Sequence, residues 1–317
     1  VNDEDLSALI KLYDIGSLLT FKGIAEGVEN TNYLLQTTSG RFILTLYEKR
    51  VALEDLPFYL GLVEHLSRHG IPCPTPVHAH TGSVLHEISG RKAAIFSFLD
   101  GFSVSNPKVD HCSQVGQALA KLHLAAEQFE LSRQNSLGQL SWRSFFERFQ
   151  SRAEQIHSGL LELIDEEIKF LDARWPRHLP QGIIHADLFP DNVFFRNDKL
   201  SGLIDFYFAC NDTLAYDIAI CLNAWCFNAD FCFDTNKSFA LLKAYNSLRP
   251  LSDIEKDTLP LLSRGAAIRF LLTRSFDWLN RPANALVSPH NPLDYIHRLK
   301  FHQSVRSIAD YGYHEHT

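Results

Sequence analysis

The spacing of hydrophobic residues divides the chain into two parts of different character. In the first part, the segments TNYLLQTT and RFILTLYE are typical of strands, and Ser39-Gly40 between them is a hairpin signal. Hydrophobic residues at 6, 9, 10 and 13 predict a first helix, and those at 56, 60, 63 and 66 predict a second helix that ends at Gly70. The segment SVLHEISGRKAAIFSFLDG predicts two further strands around Ser89-Gly90.

After Gly101 the pattern becomes mostly helical. Apolar residues recur at helical spacing over residues 110–175, a β-like stretch follows at 182–212, and the remainder is again helical. We therefore expect an α+β fold with two lobes. The N-terminal lobe, residues 1–97, is β-rich with one main helix and is expected to bind the nucleotide. The C-terminal lobe, residues 98–317, is mostly helical and is expected to carry catalysis and acceptor binding.

Composition narrows the class of protein without identifying it. The 317 residues are 45% hydrophobic, which is enough for a substantial core, and the net charge of -7 gives no basic surface for nucleic acid. No apolar run reaches the ~20 residues that span a bilayer, and the polar, acidic N-terminus does not resemble a secretory signal. The six cysteines form no CxxC pair, so we expect reduced, buried thiols and a cytoplasmic location.

The strongest chemical signal is a pair of segments, GIIHADLFPDNVFF at 182–195 and GLIDFYFA at 202–209. Phosphoryl transfer from a nucleotide needs one oxygen group that accepts or orients a hydroxyl proton, and oxygen ligands for hard metal ions. Asp187, Asn192 and Asp205 meet these needs by residue type, and the two aspartates follow apolar runs that predict buried strands. Aspartate and asparagine also favour turns for local reasons, which is the competing interpretation.

The same residues carry a family resemblance. His185 through Asn192 resembles the HxDxxxxN loop of aminoglycoside phosphotransferases and their relatives with the protein-kinase-like fold, and Asp205-Phe206-Tyr207 resembles the DFG position. The resemblance implies a bilobal protein-kinase-like fold that uses ATP and Mg²⁺. It implies that Asp187 is the catalytic base and that Asn192 and Asp205 bind the metal. It also implies that His185 supports the loop and that Asp217, in the segment YDIA, supports the C-terminal lobe.

Nucleotide-binding residues are expected in two places before this motif. The glycine-containing segment GIAEGVENTN, residues 23–32, lies between two predicted strands, so Gly27, Asn30 and Asn32 are candidates for a phosphate-binding loop. The segment IFSFLDG lies at the predicted lobe junction, where backbone groups from Ser97 to Leu99 are candidates to bind adenine. An ordinary hairpin turn and an ordinary edge strand are the respective alternatives.

One departure from the family pattern concerns the third strand. Relatives with this fold carry a lysine or arginine there, which neutralises the nucleotide phosphates, whereas the aligned inward position here is Thr45. Either a cation from Lys22, Lys49 or Arg50 substitutes for it, or the lobe relies on amides and metal.

The acceptor is suggested by resemblance across nearly the whole chain. Segments such as GIAEGVENTNYLL, HADLFPDNVFF and LSRGAAIRFLLTR resemble the bacterial homoserine kinases of this fold, which implies L-homoserine as substrate. Its carboxylate calls for a guanidinium, and Arg269 and then Arg274 are the candidates. A structural salt bridge from Arg269 to an acid such as Asp217 is the alternative. Another small-molecule kinase acting on choline, a sugar or an aminoglycoside, and an inactive kinase-like binding module, are the rival functions.

Overall fold

The computed structural model describes residues 3–24, 30–47, 52–281 and 290–314. An antiparallel sheet of five strands, in the order β1-β2-β3-β5-β4, forms the N-terminal part. Its strands are β1 (Leu18–Ile24), β2 (Asn30–Thr37), β3 (Gly40–Tyr47), β4 (His86–Ile88) and β5 (Arg91–Ser97). Thr37 is opposite Gly40 in the β2–β3 pair, which confirms the hairpin predicted at Ser39-Gly40.

The two faces of this sheet belong to different cores. Leu44 and Leu46 of β3 pack with the first helix, α1 (Asp3–Ile10). Tyr47 points to the opposite face and packs with the second helix, α2 (Leu56–Arg68). Because side chains alternate along a strand, Thr45 shares the face of Tyr47, which is the face toward the C-terminal part.

The predicted helices of this part are confirmed, with one shorter than expected. The stripe at 56, 60, 63 and 66 is buried throughout, as predicted. The first helix ends at Ile10, and Tyr13 instead forms a β-bridge with Ala79. Tyr13 is nevertheless buried in the same core as α1. The spacing of hydrophobic residues therefore predicted that Tyr13 is buried but did not predict its backbone conformation.

The C-terminal part is mostly helical. Its helices are α3 (Val109–Ala125), α4 (Trp142–Glu147), α5 (Leu160–Arg174), α6 (Leu214–Trp225), α7 (Thr235–Leu248), α8 (Asp253–Leu279) and α9 (Leu293–Ser304). The stretch predicted as helical over 110–175 is therefore three helices joined by irregular segments. Gly159 has a φ of 79° directly before α5, a conformation that glycine adopts without steric cost and that starts the helix anew.

The predicted β-like region contains two small sheets. β6 (Gln181–Ile184) pairs with β9 (Cys210–Thr213), and β7 (Val193–Arg196) forms a hairpin with β8 (Lys199–Leu203). The two turn residues, Asn197 and Asp198, have φ values of 52° and 57°, as a two-residue hairpin turn of the primed type requires. The part from 204 to 209 is not strand, because a 3₁₀ turn occupies Phe206–Phe208.

The sheet of the N-terminal part ends at Ser97, where the sequence places the lobe boundary. That boundary stays a prediction. Within the described ranges, no helix is both long and apolar enough to cross a membrane.

Candidate active site

The loop after β6 contains the residues of the predicted catalytic motif. His185 is fully buried, and its ring packs against Phe206 with centroids 4.7 Å apart. Its Nε2–H donates to the carbonyl of Ile204 at 3.0 Å, while its Nδ1 accepts the N–H of Asp187 at 3.3 Å. These roles require the neutral tautomer with the proton on Nε2. Burial keeps the ring neutral by lowering the pKa of His185.

Asp217, from the first turn of α6, holds the start of this loop. Its carboxylate accepts the N–H groups of His185 at 2.7 Å and Ala186 at 2.9 Å. It also accepts Nε2–H of His123, on α3, at 3.1 Å, although it is itself 0% exposed. Burial alone would raise the pKa of Asp217, but the hydrogen bonds and the neighbouring histidines outweigh burial and lower it. The supporting role expected of Asp217 agrees with this geometry.

Asn192 ties the far end of the loop to Asp187. Its side-chain amide donates to the Asp187 backbone carbonyl at 2.8 Å and to the Asp187 carboxylate at 3.1 Å. The 3₁₀ turn Pro190–Asn192 brings the two residues together, because proline fixes the entry to that turn. Since the amide nitrogen of Asn192 donates to Asp187, the Oδ1 atom of Asn192 is the end of its side chain that can bind a metal.

Asp205 is placed next to this pair through the residue that precedes it. The N–H of Ile204 donates to the Asn192 carbonyl at 3.0 Å, and the carbonyl of Ile204 accepts the ring of His185. Asp205 itself has a φ of 62°, a left-handed conformation that turns the chain out of β8. The structure therefore brings together the three residues that the sequence singled out.

The surroundings of Asp187 raise its proton affinity. Burial raises the pKa of Asp187 well above its usual range, and the nearby carboxylates of Asp205 and Asp191 add to this shift. The Arg269 guanidinium and the hydrogen bond from Asn192 act in the opposite direction. A carboxylate with a raised pKa is a better proton acceptor than an ordinary aspartate.

Arg269 lies beneath the catalytic loop. It is 2% exposed and donates to the carbonyl of Ala186, and its guanidinium stacks on Phe270 at 4.5 Å. In the described ranges it forms no ion pair with a carboxylate, so the structure does not support the alternative of a salt bridge to Asp217. A buried guanidinium bound to a backbone carbonyl suits positioning of the loop better than capture of an acceptor.

Arg274, one turn further along α8, lies in a more open position. Its side chain is 14% exposed, and Nη1 lies 3.5 Å from Oδ2 of Asp294 on α9. Its guanidinium lies 4.6 Å from the centre of the Tyr295 ring. Asp187 contributes to the electrostatics of Arg274, since its negative charge raises the pKa of Arg274 against the lowering by burial.

The nucleotide side is described only in part. Gly27, Lys49 and Arg50 lie outside the described residues, while Lys22 is exposed on β1. Asn30 is 8% exposed, and Asn32 accepts the Thr45 hydroxyl at 2.8 Å.

The inward position of β3 is thus occupied by a hydroxyl paired with an amide. Asn32, Thr45 and Ala94 are directly opposite one another on β2, β3 and β5. No cation of the described residues replaces the missing strand lysine in that row.

The strand at the lobe junction uses part of its backbone within the protein. The Ser97 N–H donates to the Thr75 carbonyl at 2.9 Å, and its hydroxyl accepts the Thr75 N–H at 2.9 Å. Ser97 therefore has no free N–H for a purine. Leu99 lies beyond the end of β5, and its side chain packs on Gly202. The adenine contact expected at the backbone from Ser97 to Leu99 stays a prediction.

The sequence did not indicate three residues of this region. His123, within the apolar pattern of α3, reads as an ordinary core residue. Asp294 and Arg298 follow the motif by about a hundred positions, and only the packing of α8 on α9 brings them near Arg274.

Comparisons with known proteins show the family of this chain. The model of the phosphotransferase enzyme family (APH) matches residues 20–251. The chain is 58% identical to a homoserine kinase of Nitrobacter winogradskyi over 98% of this chain and 95% of that protein. It is 53% identical to a homoserine kinase of Brucella anthropi over 98% of this chain and 96% of that protein.

Solved structures with low sequence identity share the fold. An amicoumacin kinase solved with AMP-PNP, Ca²⁺ and its antibiotic has a TM-score of 0.69 at 16% identity, over 96% of this chain and 95% of that one. A choline kinase from Cryptosporidium parvum has a TM-score of 0.70 at 15% identity, over 95% of this chain and 94% of that one. The predicted α+β, kinase-like fold is confirmed. The chain belongs to the phosphotransferase enzyme family and, within it, to the homoserine kinases.

Proposed function

We propose that this chain transfers the γ-phosphate of ATP to the side-chain hydroxyl of L-homoserine. The observation that carries the reaction class is the constellation of Asp187, Asn192 and Asp205, held by hydrogen bonds at both ends of one loop. The acceptor rests on the relatives named homoserine kinase at 53–58% identity over nearly the whole chain. This role is a step in the formation of threonine, for which homoserine phosphate is the precursor.

Asp187 is the proposed base. Its carboxylate takes the proton of the acceptor hydroxyl as the hydroxyl oxygen bonds to the γ-phosphorus. The bond between that phosphorus and the β–γ bridging oxygen breaks, and ADP leaves with the electron pair. The raised pKa of Asp187 favours this proton transfer, and the hydrogen bond from Asn192 fixes the orientation of its carboxylate.

Mg²⁺ is the proposed metal, with Asn192 and Asp205 as its protein ligands. Both present oxygen, which hard cations prefer, and Mg²⁺ in kinases is commonly held by one or two protein groups plus the phosphates. The donor set fits, because Asn192 keeps Oδ1 for a ligand while its nitrogen serves Asp187. When bound, the metal would neutralise the charge that develops on the phosphates.

The nucleotide contacts remain proposals of the same kind. Asn30 and Asn32 are suited to bind phosphate oxygens beside the segment that contains Gly27, and the backbone near Leu99 is suited to adenine. Thr45 supplies no positive charge, so the metal and the amides would carry more of the phosphate neutralisation than in relatives with a strand lysine. A cytoplasmic location is proposed because none of the six cysteines is in a disulfide.

A panel assay tests the function. The purified chain is incubated with ATP, Mg²⁺ and, in turn, L-homoserine, choline, fructosamine and kanamycin, and the phosphorylated product is identified by mass spectrometry. We expect turnover with L-homoserine and little with the others. Asp187→Asn should lower kcat about 10²- to 10⁴-fold, the usual contribution of a general base. Turnover of another acceptor in preference to homoserine would refute the substrate, and an unchanged kcat in Asp187→Asn would refute the mechanism.

A further inference from the structure

The packing of α8 against α9 builds a second charged site next to the catalytic loop. Phe189, two residues after Asp187, packs against Phe270 with ring centroids 4.8 Å apart. Phe270 in turn packs against Tyr295 at 5.4 Å. This continuous row of rings runs from the catalytic loop to Tyr295, whose ring both Arg274 and Arg298 approach.

Two guanidinium groups flank the same ring there. Arg274 of α8 and Arg298 of α9 each lie 4.6 Å from the centre of the Tyr295 ring. Tyr295 is fully buried and fixes both side chains. Stacking holds a guanidinium in place while leaving its N–H edge free to bind a planar anion.

The charges of this cluster do not cancel among the described residues. Asp294 approaches Arg274 only at 3.5 Å, and no described carboxylate pairs with Arg298. The Nε of Arg298 is buried and has no hydrogen-bond partner in the described part of the chain. A buried donor without a partner costs free energy, about 1–3 kcal/mol or more when it is charged, so the charge of Arg298 is incompletely compensated and an anion at its guanidinium would offset part of that cost.

We propose that Arg274 and Arg298 bind the α-carboxylate of the acceptor and that Asp294 binds its α-ammonium. This inference rests on the proposed function and adds to it the residues that select an amino acid. A carboxylate accepts two parallel N–H bonds from a guanidinium, which lysine does not offer. The Asp294 side chain is 28% exposed and lies beside Arg274. The ammonium group of the ligand can therefore reach Asp294 while the ligand's carboxylate binds Arg274.

The same cluster predicts rejection of other alcohols. Choline has a quaternary ammonium and no carboxylate, so two guanidinium groups at its binding position would repel it. Selection thus comes from attraction between opposite charges with homoserine and from repulsion between like charges with choline.

Truncated acceptors separate the two contacts. 3-Aminopropan-1-ol keeps the ammonium and the hydroxyl of homoserine but lacks the carboxylate. 4-Hydroxybutyrate keeps the carboxylate and the hydroxyl but lacks the ammonium. The quantity to measure is the ratio of kcat/KM for L-homoserine to kcat/KM for each analogue, in wild type and in variants.

The expected result is a loss of selectivity that depends on the analogue. Arg298→Met and Arg274→Met should each lower kcat/KM for homoserine about 10- to 150-fold, the range for a hydrogen bond to a charged group, and should hardly change it for 3-aminopropan-1-ol. Asp294→Asn should lower kcat/KM for homoserine but not for 4-hydroxybutyrate. The conservative variant Arg298→Lys should recover part of the loss, and Arg306→Met, at an exposed arginine, is the matched control.

These outcomes distinguish failure of the proposed carboxylate site from failure of the proposed function. Equal losses with homoserine and with 3-aminopropan-1-ol in both arginine variants would mean a structural role and would overturn the carboxylate site. Wild type that phosphorylates homoserine would then still support the proposed function. Wild type without homoserine turnover would overturn the function and this inference together. The KM for ATP and the thermal unfolding midpoint, measured for each variant, identify any general loss of folding.

Discussion

Asp217→Asn tests whether the buried carboxylate organises the catalytic loop. Oδ1 of Asp217 accepts the Ala186 N–H, and Oδ2 accepts the His185 N–H and His123. An asparagine is nearly the same size but has one acceptor oxygen. Whichever way the amide turns, its NH₂ group faces at least one backbone N–H, so a donor meets a donor in a fully buried place.

The expected cost follows from these contacts. In the better orientation the amide loses one hydrogen bond to a charged acceptor, about 1.5–3 kcal/mol, and the two remaining bonds weaken because their acceptor is neutral. We therefore expect the free energy of unfolding to fall by about 3–5 kcal/mol, as for other buried charged groups that lose a partner. Because Ala186 precedes Asp187 directly, kcat should fall as well, with a smaller change in the KM for ATP.

Urea unfolding followed by tryptophan fluorescence, together with steady-state kinetics, measures both effects. Asp253→Asn is the matched control, since the Asp253 side chain is 95% exposed and its loss should change stability by no more than about 0.5 kcal/mol. A loss below about 1 kcal/mol for Asp217→Asn, or a wild-type kcat, would refute the reasoning that this carboxylate sets the loop.

Three further predictions concern other parts of the molecule. Gly116→Ala should destabilise by about 1–3 kcal/mol or more in urea, because its Cβ would overlap the Leu241 backbone where α3 meets α7. Burial lowers the pKa of His302 from 6.5 to about 3, so the unfolded chain binds a proton that the folded chain does not. Stability is therefore full above pH 6.5 and falls toward pH 3, by about 1.4 kcal/mol at pH 5.5, and His302→Asn should remove this part of the pH dependence. A thiol reagent should modify Cys232 rapidly in the folded protein, since the other five cysteines are buried.

Each of these has a control and a contrary outcome. Gly61→Ala is the control for Gly116, because its added methyl group would meet Phe129 at an ordinary 3.4 Å. An identical pH slope in wild type and His302→Asn would contradict the pKa of His302. Rapid modification of more than one thiol in the native state, compared with six after unfolding, would contradict the burial of the other five cysteines.

The sequence predicted those parts of the site that are formed by residues close together along the chain. The catalytic loop was recognisable because Asp187 and Asn192 are five positions apart and Pro190 restricts the turn between them. The β7–β8 hairpin lies in the stretch predicted as β-like, and its turn residues Asn197 and Asp198 are types that tolerate positive φ.

Contacts between distant segments were not predictable in the same way. Periodicity over 110–175 reports which residues are buried, and it is the same for one long helix as for three short ones. Arg269 illustrates the limit for function, because an arginine in an apolar run predicts a buried partner without saying which one. Its partner proved to be the Ala186 carbonyl, a backbone group that no sequence pattern marks.

The contacts of Ala186 show that the groups that hold the catalytic loop differ from those proposed to bind the acceptor. Its N–H is bound by Asp217 and its carbonyl by Arg269, and its φ of 64° is a strained, left-handed conformation that both contacts help to hold. Both side chains are buried, so the position of Asp187 is set by the protein interior and does not depend on the bound acceptor. The groups proposed to bind the acceptor are on α8 and α9, outside this buried network. Acceptor preference can therefore change at Arg274, Asp294 and Arg298 while Asp217 and Arg269, which is also on α8, keep the loop fixed.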